Sequence, residues 1–424
     1  MEFVELTEKE FNNFGLNNEY GNFHQTSNWG KLKEKNGWKS HLIGVKEDGE
    51  IIAACLLLQK RVLKKFSLFY SPRGYLLDYN NYQLLEFFTK EIKNYVKKYN
   101  AIFVKIDPYV IHKERDINGD LVEEGLNNES IIGDLKQLGY VHTGFNLKHE
   151  NMQPRWAFAL DLKDKTEDEI LNGMESKTRQ LIRKNMRWNI SVREIKKDEL
   201  QIFKDIMNST ADRRNFIDRP FEYYKNMLEV LKDNAKIYIA ELNVKDLVDS
   251  TKKEIDDNKK LIEEKETEIK EKKKNINIDK TNKKIKELTE TNERLEKKLE
   301  HYEDIRKEDG DLITLGGIIY MIYNKEILSL FGGSYDKYME FQSFYTIHWE
   351  LIKYALNNGF EKYNFYGITG DFKDTKDELY GIYDFKRGFG GHVEEYIGEF
   401  DLITNKFMYL MYKYGFSLYK KIKK

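Results

Sequence analysis

The stretch from residue 246 to residue 309 constrains the fold of this chain more than any other. It contains neither Pro nor Gly, and it carries 20 acidic and 18 basic side chains. Mostly apolar residues recur along it, first in steps of seven and then in alternating steps of four and three. They are Val248, Ile255, Ile262, Ile269, Ile276, Leu288, Asn292, Leu295, Leu299 and Tyr302. This spacing is typical of long helices that pack along one seam.

The pattern breaks at residues 275–280, Asn-Ile-Asn-Ile-Asp-Lys. We therefore expect two helices of about 25–30 residues, each roughly 40 Å long, that fold back as an antiparallel coiled-coil hairpin. Residues 265–286, around the predicted turn, contain nine Lys and four acidic residues, so the tip of the hairpin is basic.

The hairpin interrupts a pair of strands. Residues 235–242 are typical of a strand that leads into it, and residues 313–323 of a strand that follows it. In the first third of the chain, the similar segments 41–46 and 51–59 are joined by only four residues. The hairpin is therefore predicted to be an insertion into a tight turn between two strands.

The comparison extends to a repeat of the whole pattern. The first strand pair is followed by segments typical of a strand, a helix and a strand, at 66–70, 84–99 and 101–107, and the second pair by 327–331, 344–358 and 362–367. This order predicts an α/β (α+β) fold with two GNAT-like acyltransferase subdomains in tandem. We assign 1–150 to the first subdomain, 151–245 with 310–412 to the second, 246–309 to the arm and 413–424 to a basic tail.

Composition excludes several classes of protein. With 71 Lys and Arg against 72 Asp and Glu, the net charge of −1 excludes a histone-like basic coat for nucleic acid. One Cys excludes a disulfide framework and a Cys-based zinc site, and it favours a reducing cytoplasm. The eight His include no pair spaced His-x-x-x-His, so we expect no metal.

The location follows from the apolar segments. The chain starts without a signal-peptide pattern, and its longest apolar run, 51–58, has the length of a strand. For the basic tail we favour a solvated terminal helix over contact with an anionic bilayer. We therefore expect a cytoplasmic protein, with a peripheral position at the inner face of the membrane as the open alternative.

Several segments are dense in Gly, aromatic and charged residues, at 23–38, 71–79, 105–109, 213–224, 330–334, 366–370 and 381–391. With these segments, the chain resembles the Fem family of peptidoglycan bridge aminoacyltransferases over nearly its whole length. The inserted helical hairpin, the segment Phe385-Lys386-Arg387-Gly388-Phe389 and the ending Tyr396-Ile397-Gly398-Glu399-Phe400 carry the resemblance.

The resemblance implies an enzyme that takes an amino acid from aminoacyl-tRNA and attaches it to an amine of the peptidoglycan precursor. The acceptor amine would lie on the stem peptide or the growing bridge of a lipid-linked or nucleotide-linked precursor. No metal or coenzyme A is implied as a cofactor. A monomer is expected, and weak association with itself or with another family member is left open.

The resemblance also implies roles for individual residues. Lys33 and Arg219 match positions that bind the diphosphate of the precursor, and Tyr223 matches a nearby site tyrosine. Asp107 matches an acid near the reacting amine, and Lys386 matches the residue assigned to the aminoacyl-tRNA end and the reaction. Arg73 and Phe385 are further substrate-binding candidates, because they lie in the same segments.

The chemistry of these side chains fits such roles and leaves alternatives open. Aminolysis of an ester needs a site for an oxyanion and a way to move one proton. Lys386 could supply the charge or be a surface residue, and Asp107 could take the proton or cap a turn. Arg219 could fork two phosphate oxygens or form an ion pair with a neighbouring acid. For Arg73, we favour a structural role over substrate binding.

The basic tip of the arm suits contact with the phosphates of tRNA, and we name Lys272, Lys273 and Lys274 as the candidates. The open alternative is that the arm binds a protein partner. In that case the chain would be a non-enzymatic binding protein. The other rival is an acyl-coenzyme A N-acetyltransferase on the same fold. The glycines after Arg387 do not form the Arg/Gln-x-x-Gly-x-Gly loop that cradles the coenzyme A pyrophosphate, and this argues against that rival.

Overall fold

A computed structural model describes residues 1–62, 65–148, 152–271, 277–377 and 379–422, with side chains described for all of these except 414 and 416–422. The strands are β1 Glu2–Glu5, β2 Lys39–Glu47, β3 Glu50–Val62, β4 Phe66–Ser71, β5 Ala101–Ile106, β6 Ile111–Glu114, β7 Tyr140–His142, β8 Trp156–Asp161, β9 Ser191–Glu194, β10 Ala235–Asn243, β11 Leu312–Tyr323, β12 Glu326–Ser334, β13 Lys362–Gly367, β14 His392–Tyr396 and β15 Phe400–Ile403.

The helices surround these strands. They are α1 Glu8–Leu16, α2 Ser27–Glu34, α3 Tyr82–Lys97, α4 Glu129–Gln137, α5 Glu167–Gly173, α6 Ser176–Arg187, α7 Leu200–Arg214, α8 Phe221–Leu231, α9 Val244–Lys270, α10 Ile278–Asp309, α11 Ser343–Asn357, α12 Tyr380–Arg387 and α13 Lys406–Ile422. None of those within the described ranges is both long and apolar enough to cross a membrane.

The strands form two mixed sheets in the described part of the chain. The first has the order β1-β2-β3-β4-β5-β15-β7, and the second has the order β6-β14-β8-β13-β12-β11-β10-β9. In the first sheet β2, β3 and β4 pair antiparallel, and β4 pairs parallel with β5. In the second, β10, β11 and β12 pair antiparallel, and β12 pairs parallel with β13. The predicted repeat of three meandering strands, a helix and a parallel return strand is confirmed.

The arm is the pair α9 and α10, inserted between β10 and β11. The side chain of Asn243, the last residue of β10, accepts a hydrogen bond from the Asp246 backbone N–H (3.1 Å) and so caps α9. In the first half the equivalent turn between β2 and β3 needs only Asp48 and Gly49, both with positive φ. The predicted α/β fold with an inserted helical hairpin is therefore confirmed.

A polar contact fixes the register of the arm. Asn258 donates a hydrogen bond from Nδ2 to Oδ1 of Asn292 (2.9 Å), and Asn292 donates from Nδ2 to the carbonyl of Ile255 (3.2 Å). Val248, Ile255, Leu288 and Asn292 are buried in the seam. A buried amide pair of this kind is satisfied in one alignment only, so it selects that alignment.

Two short strands cross between the two parts of the chain. β6, from the N-terminal part, pairs with β14 in the second sheet, and β15, near the C-terminus, pairs with β5 and β7 in the first. The sheets therefore do not divide at one point of the sequence, and the predicted domain boundaries stay a prediction.

The two halves share one part of the core. Leu56 and Trp29 from the first half belong to the same buried cluster as Phe203, Tyr224 and Ile319 from the second. Burial of this apolar surface, at about 25 cal/mol per Å², holds the sheets together. The groups that follow therefore lie on a fixed frame that both halves build.

Candidate functional site

Tyr366, near the end of β13, lies at the centre of the candidate site. The pairing of β13 with β8 shifts register between Asn364 and Tyr366, and Tyr366 has a φ of 66°, which an L-residue rarely adopts. Oδ1 of Asn364 accepts a hydrogen bond from the Tyr366 N–H (2.7 Å), and the Tyr366 hydroxyl donates to Oε1 of Gln153 (2.6 Å). These two hydrogen bonds hold Tyr366 in its strained backbone conformation.

Burial raises the pKa of Tyr366 to about 12, and the nearby charges of Arg73, Asp107 and Arg219 also act on it. The phenol therefore stays neutral and lies among the charged groups that come from the two halves. Three of the predicted site residues, Arg73, Asp107 and Arg219, therefore act on the side chain of Tyr366.

Asp107 follows directly after β5 and is buried. Its Oδ2 accepts a hydrogen bond from the Tyr70 hydroxyl (2.7 Å), and its Oδ1 accepts one from the Arg73 backbone N–H (2.5 Å). Burial raises the pKa of Asp107 to about 7, and the charge of Glu399 adds to this, whereas Arg73 and the hydrogen bonds oppose it. A carboxyl group with this pKa can take and release a proton near neutral pH.

Arg73 is buried beside Asp107. Its guanidinium lies over the rings of Tyr396 and Tyr109, 4.6 and 5.4 Å from their centroids, and donates from Nη1 to the carbonyl of Pro154 (3.2 Å). Its own φ is 59°, and Gly74 follows with a φ of 76°. Arg73 and Asp107 line a small pocket, which therefore contains a cation and a titratable carboxyl group.

Lys33, on α2, and Arg219, just before α8, form a second group. The Lys33 ammonium lies 4.5 Å from the centroid of the Trp29 ring, and the Arg219 guanidinium lies 4.6 Å from that of Tyr223 and 5.4 Å from that of Phe331. Burial, together with the charge of Arg219, lowers the pKa of Lys33 to about 8.

No acid balances these two cations within the described residues. Asp218, the neighbour of Arg219, instead accepts from Lys204 (2.5 Å) and from the Tyr224 hydroxyl (2.6 Å). Two neighbouring cations that lie on aromatic rings and lack an acidic partner repel each other. A bound anion would offset this repulsion, so such a pair favours anion binding.

Lys386 lies in the last turn of α12. Its Nζ donates a hydrogen bond to the carbonyl of Gly367 (2.7 Å), the residue next to Tyr366, and burial lowers the pKa of Lys386 to about 7. Phe385 beside it packs against Tyr345 and His348, with centroids 4.9 and 5.6 Å apart. The aromatic side chains hold α12 so that the lysine reaches back to the end of β13.

His348 lies behind this lysine. Its Nδ1 forms a hydrogen bond with the Tyr363 hydroxyl (2.7 Å), which itself donates to the Tyr320 hydroxyl (2.9 Å). Burial lowers the pKa of His348 to about 3, and the charge of Lys386 contributes. The imidazole is therefore neutral, and it packs against Phe385 and Phe389, on either side of Lys386 in the sequence.

The site thus combines two neighbouring cations, a carboxyl group whose pKa is raised to about 7 and a lysine whose pKa is lowered to about 7. In the described part of the chain, no three His, Cys, Asp or Glu side chains are grouped so that they could hold a metal ion. The acid and the lysine can transfer protons and stabilise charge at an attacked carbonyl.

A family comparison explains this combination. The model of the FemAB family matches residues 6–415. The chain belongs to the FemAB family. The match includes every strand of both sheets except β1, together with the arm and all of the site residues above, so it bears on the whole arrangement.

Individual relatives agree with this assignment. Aminoacyltransferase FemA of Staphylococcus epidermidis is 32% identical over 426 residues, which cover 100% of both chains. Aminoacyltransferase FemA of Staphylococcus aureus strain N315 is 32% identical over 425 residues, 100% of this chain and 99% of the relative. The crystal structure of FemX superimposes with a TM-score of 0.78 at 27% identity and covers 97% of this chain and 99% of FemX. The predicted family and the predicted enzyme class, an aminoacyltransferase, are confirmed.

The structure of this FemAB protein brings most of the predicted site residues into two groups. Asp107 and Arg73 lie together, as do Lys33, Arg219 and Tyr223, and Tyr366 lies between the groups. Lys386, with Phe385 beside it, lies at the same end of β13 as Tyr366, because its ammonium bonds to the carbonyl of Gly367. Lys272, Lys273 and Lys274 lie outside the described residues.

Sequence reasoning did not select Tyr366, Gln153 or His348. Tyr366 stood in a Gly-rich segment, which was the one available signal, but its positive φ and its place between the groups depend on the tertiary fold. Gln153 lies at the start of the predicted second subdomain, and His348 lies inside a predicted helix, and no motif marks either residue.

Proposed function

We propose that this protein transfers an amino acid from aminoacyl-tRNA to an amine of a peptidoglycan precursor, on the stem peptide or the growing bridge. The observation that carries the proposal is the arrangement around Tyr366. The charges of Arg73, Asp107 and Arg219 act on Tyr366, and Lys386 hydrogen-bonds to the next residue of the same strand. Among the described residues, Arg219 and its neighbour Lys33 have no acidic partner. The family and its named aminoacyltransferases support the reaction type.

Lys33 and Arg219 would bind the diphosphate that links the precursor to its lipid or nucleotide. Arg can bind two phosphate oxygens through its fork, and Lys adds a point charge. Bound phosphate would raise the pKa of Lys33 from about 8, because a negative charge favours the ammonium form. The two cations thereby hold the end of the acceptor that does not react. Tyr223 would form the wall beneath Arg219.

Asp107 would receive the proton of the attacking amine. The amine nitrogen forms a bond to the ester carbonyl carbon of the aminoacyl-tRNA, and the carboxylate takes one proton from that nitrogen. Its pKa of about 7 suits this step, since about half of the groups are ionised at neutral pH. The hydrogen bonds from Tyr70 and from the Arg73 backbone fix the carboxylate in place.

Lys386 would act on the donor. Its ammonium stabilises the oxyanion of the tetrahedral intermediate and gives one proton to the ribose oxygen when the ester bond breaks. Because the pKa is about 7, the lysine is partly protonated at neutral pH and can give up the proton. Phe385 and its aromatic neighbours would form the wall beside the 3′ end of the tRNA.

The partners are therefore aminoacyl-tRNA and a lipid-linked or nucleotide-linked precursor, and no cofactor is needed. We place the protein in the cytoplasm, where aminoacyl-tRNA is made, with peripheral contact at the inner face of the membrane when the acceptor is lipid-linked. The division into a first subdomain at 1–150, a second at 151–245 with 310–412, an arm at 246–309 and a tail at 413–424 remains our proposal for the domains.

A transfer assay tests the function. The protein is incubated with lipid-linked or with nucleotide-linked precursor and with tRNA charged separately with Gly, Ala or Ser, and the mass of the product is measured by mass spectrometry. We expect a mass increase of one aminoacyl residue with at least one charged tRNA, and none when acetyl-coenzyme A replaces the tRNA. An unchanged precursor mass with all charged tRNAs, for both precursor forms, would contradict the proposal.

A further inference from the structure

Helix α6 has the most one-sided charge of the helices near Lys386. Its 12 residues, Ser176–Arg187, include five Lys or Arg and no acidic residue. The exposed members are Lys177, Arg183, Lys184 and Arg187, which we call the basic face. The fifth, Arg179, is half-buried and donates to the carbonyls of Asn172 (3.1 Å) and Met174.

The basic face is fixed in position by the opposite face of the same helix. Thr178, Ile182 and Asn185 are buried, at the spacing of one helix face. Asn185 donates from Nδ2 to Oγ1 of Thr346 (3.0 Å) and to the carbonyl of Gln342 (3.1 Å), which ties α6 to α11. The four cations therefore project from a rigid support over about 15 Å of helix length.

The four cations of the basic face have no acidic partner in the part of the chain that the structure describes. Within the described ranges, none of the four members of the basic face forms an ion pair, and the Lys184 ammonium lies instead 4.4 Å from the centroid of the Trp188 ring. On the arm the cations are paired across the seam, as in Lys252 with Glu303 (2.6 Å) and Lys259 with Glu296 (3.2 Å). Unpaired positive charge on one rigid face is what an extended polyanion requires.

One end of α6 abuts the helix that carries Lys386. The Glu175 N–H donates to the carbonyl of Gly388 (2.9 Å), and Arg387 pairs with Glu175 (3.4 Å). Gly388 allows this close approach, because a Cβ at position 388 would clash with the Thr178 hydroxyl unless that side chain moved. If one end of a bound molecule lies beside Lys386, the part of that molecule outside the site would therefore pass next to α6.

We propose that the basic face of α6 binds the phosphate backbone of the donor tRNA next to its aminoacylated 3′ end. This rests on the proposed function, in which that end reacts beside Lys386. An RNA stem presents phosphates in a row that four cations along about 15 Å can follow.

The charges also favour RNA over an anionic membrane. A helix that lies on a bilayer turns an apolar face towards the lipid. In α6 the apolar Ile182 points into the protein, and Met186 is the one large apolar side chain that is markedly exposed among its described residues. The exposed face therefore has charge without the apolar area that membrane insertion needs.

The test removes the four charges together. The variant K177Q/R183Q/K184Q/R187Q is compared with K90Q/K93Q/K97Q/K98Q, which removes the same charge from α3 and its C-terminal cap in the first half. We expect the α6 variant to bind uncharged tRNA at least about tenfold more weakly, and the slope of log affinity against log salt to fall by about 0.7–0.9 for each phosphate that the variant no longer neutralises. The α3 variant should bind like the wild type.

A short donor separates this proposal from the proposed function. An aminoacylated oligonucleotide that contains only the single-stranded 3′ end can reach Lys386 without touching α6. The α6 variant should lose at least about tenfold in kcat/KM with full aminoacyl-tRNA and keep its rate with the short donor. The charge-preserving variant K177R/R183K/K184R/R187K should restore the rate with full tRNA.

Three results would overturn the role of α6. Equal tRNA affinity and salt slope in the α6 variant and the wild type would do so, and so would an equal decrease in rate with the full and the short donor. Weaker binding to anionic phosphatidylglycerol vesicles with unchanged tRNA binding would assign the face to a membrane instead. If the wild-type protein transfers from neither donor, the proposed function fails, and the tRNA-binding comparison still decides the role of α6.

Discussion

The two halves of this FemAB protein share one order of elements but present their reactive groups in different ways. In the first half Asp107 follows β5 directly and is fixed by hydrogen bonds from Tyr70 and the Arg73 backbone. In the second half Lys386 comes from α12 and reaches back across 19 residues to one hydrogen bond with Gly367, at the end of the equivalent strand, β13. The acid is therefore held rigidly, whereas the lysine is held by a single bond that a substrate can replace.

This difference suits the two tasks. A proton acceptor must stay at one distance from the amine, and a group that meets an incoming tRNA end must be able to exchange its partner. The repeated fold places the ends of β5 and β13 at equivalent positions. The segments that follow these strands determine which reactive side chain lies at each end. The following variants break or sharpen this contrast.

The largest effect is expected for Lys386→Ala. Removal of the charge that stabilises the oxyanion should lower the transfer rate by about 10³-fold. Single-turnover transfer from aminoacyl-tRNA measures this rate, and Arg387→Gln, at the neighbouring position, serves as the control. A reduction that appears only in KM would show that the lysine binds substrate without acting in the reaction.

Asp107→Asn should lower the transfer rate by about 10²-fold, because the amide cannot accept the proton. Tyr70→Phe is the milder companion, since it removes one hydrogen bond that favours the ionised carboxylate. The pKa of Asp107 should then rise above about 7, and the acidic limb of the pH–rate profile should move to higher pH. An acidic limb that stays in place in Tyr70→Phe would mean that another group titrates there.

Arg219→Ala and Lys33→Ala should act on binding of the acceptor. We expect KM for a precursor with a diphosphate to rise by about tenfold or more in each, with a smaller change in kcat. A truncated acceptor peptide without the diphosphate should react at the same rate in the variants and in the wild type. If both acceptors were affected equally, the two cations would have a role other than diphosphate binding.

The smallest effect is expected at the arm tip, where we propose that Lys272, Lys273 and Lys274 contact tRNA. Replacement of all three by Gln should weaken tRNA binding and flatten its salt dependence, by less than the changes on α6. The binding measurement used for α6 applies here without alteration. An unchanged salt slope would leave α6 as the RNA contact and remove the arm tip from the site.

Much of the fold could be predicted from the sequence. The steps of seven from Val248 to Ile269 predicted the arm because packing along one seam imposes that period, and the strand pairs on either side predicted the insertion. The short strands β6 and β15 were not predicted, because four residues carry no usable periodicity and their pairing depends on segments distant in the chain.

The site was predictable to a lesser degree. Lys33, Arg219 and Lys386 were selected through the family resemblance, and the structure adds the reason that they suit an anion or an ester. None of the three has an acidic partner in the described residues. Lys33 and Lys386 are partly buried, whereas Arg219 is exposed and lies over two aromatic rings. The ion pair that was left open for Arg219 is replaced by one between Asp218 and Lys204. The central place of Tyr366 depends on its positive φ and on contacts from both halves, which no local pattern contains.

The pH dependence of transfer tests most directly whether the two halves act on one reaction. Asp107 must be ionised and Lys386 protonated, and each has a pKa of about 7. The rate in a single turnover should therefore be bell-shaped with a maximum near neutrality, and Asp107→Asn should abolish the acidic limb alone. A profile that stays flat across roughly one pH unit on either side of neutrality, or an acidic limb that persists in Asp107→Asn, would contradict the account.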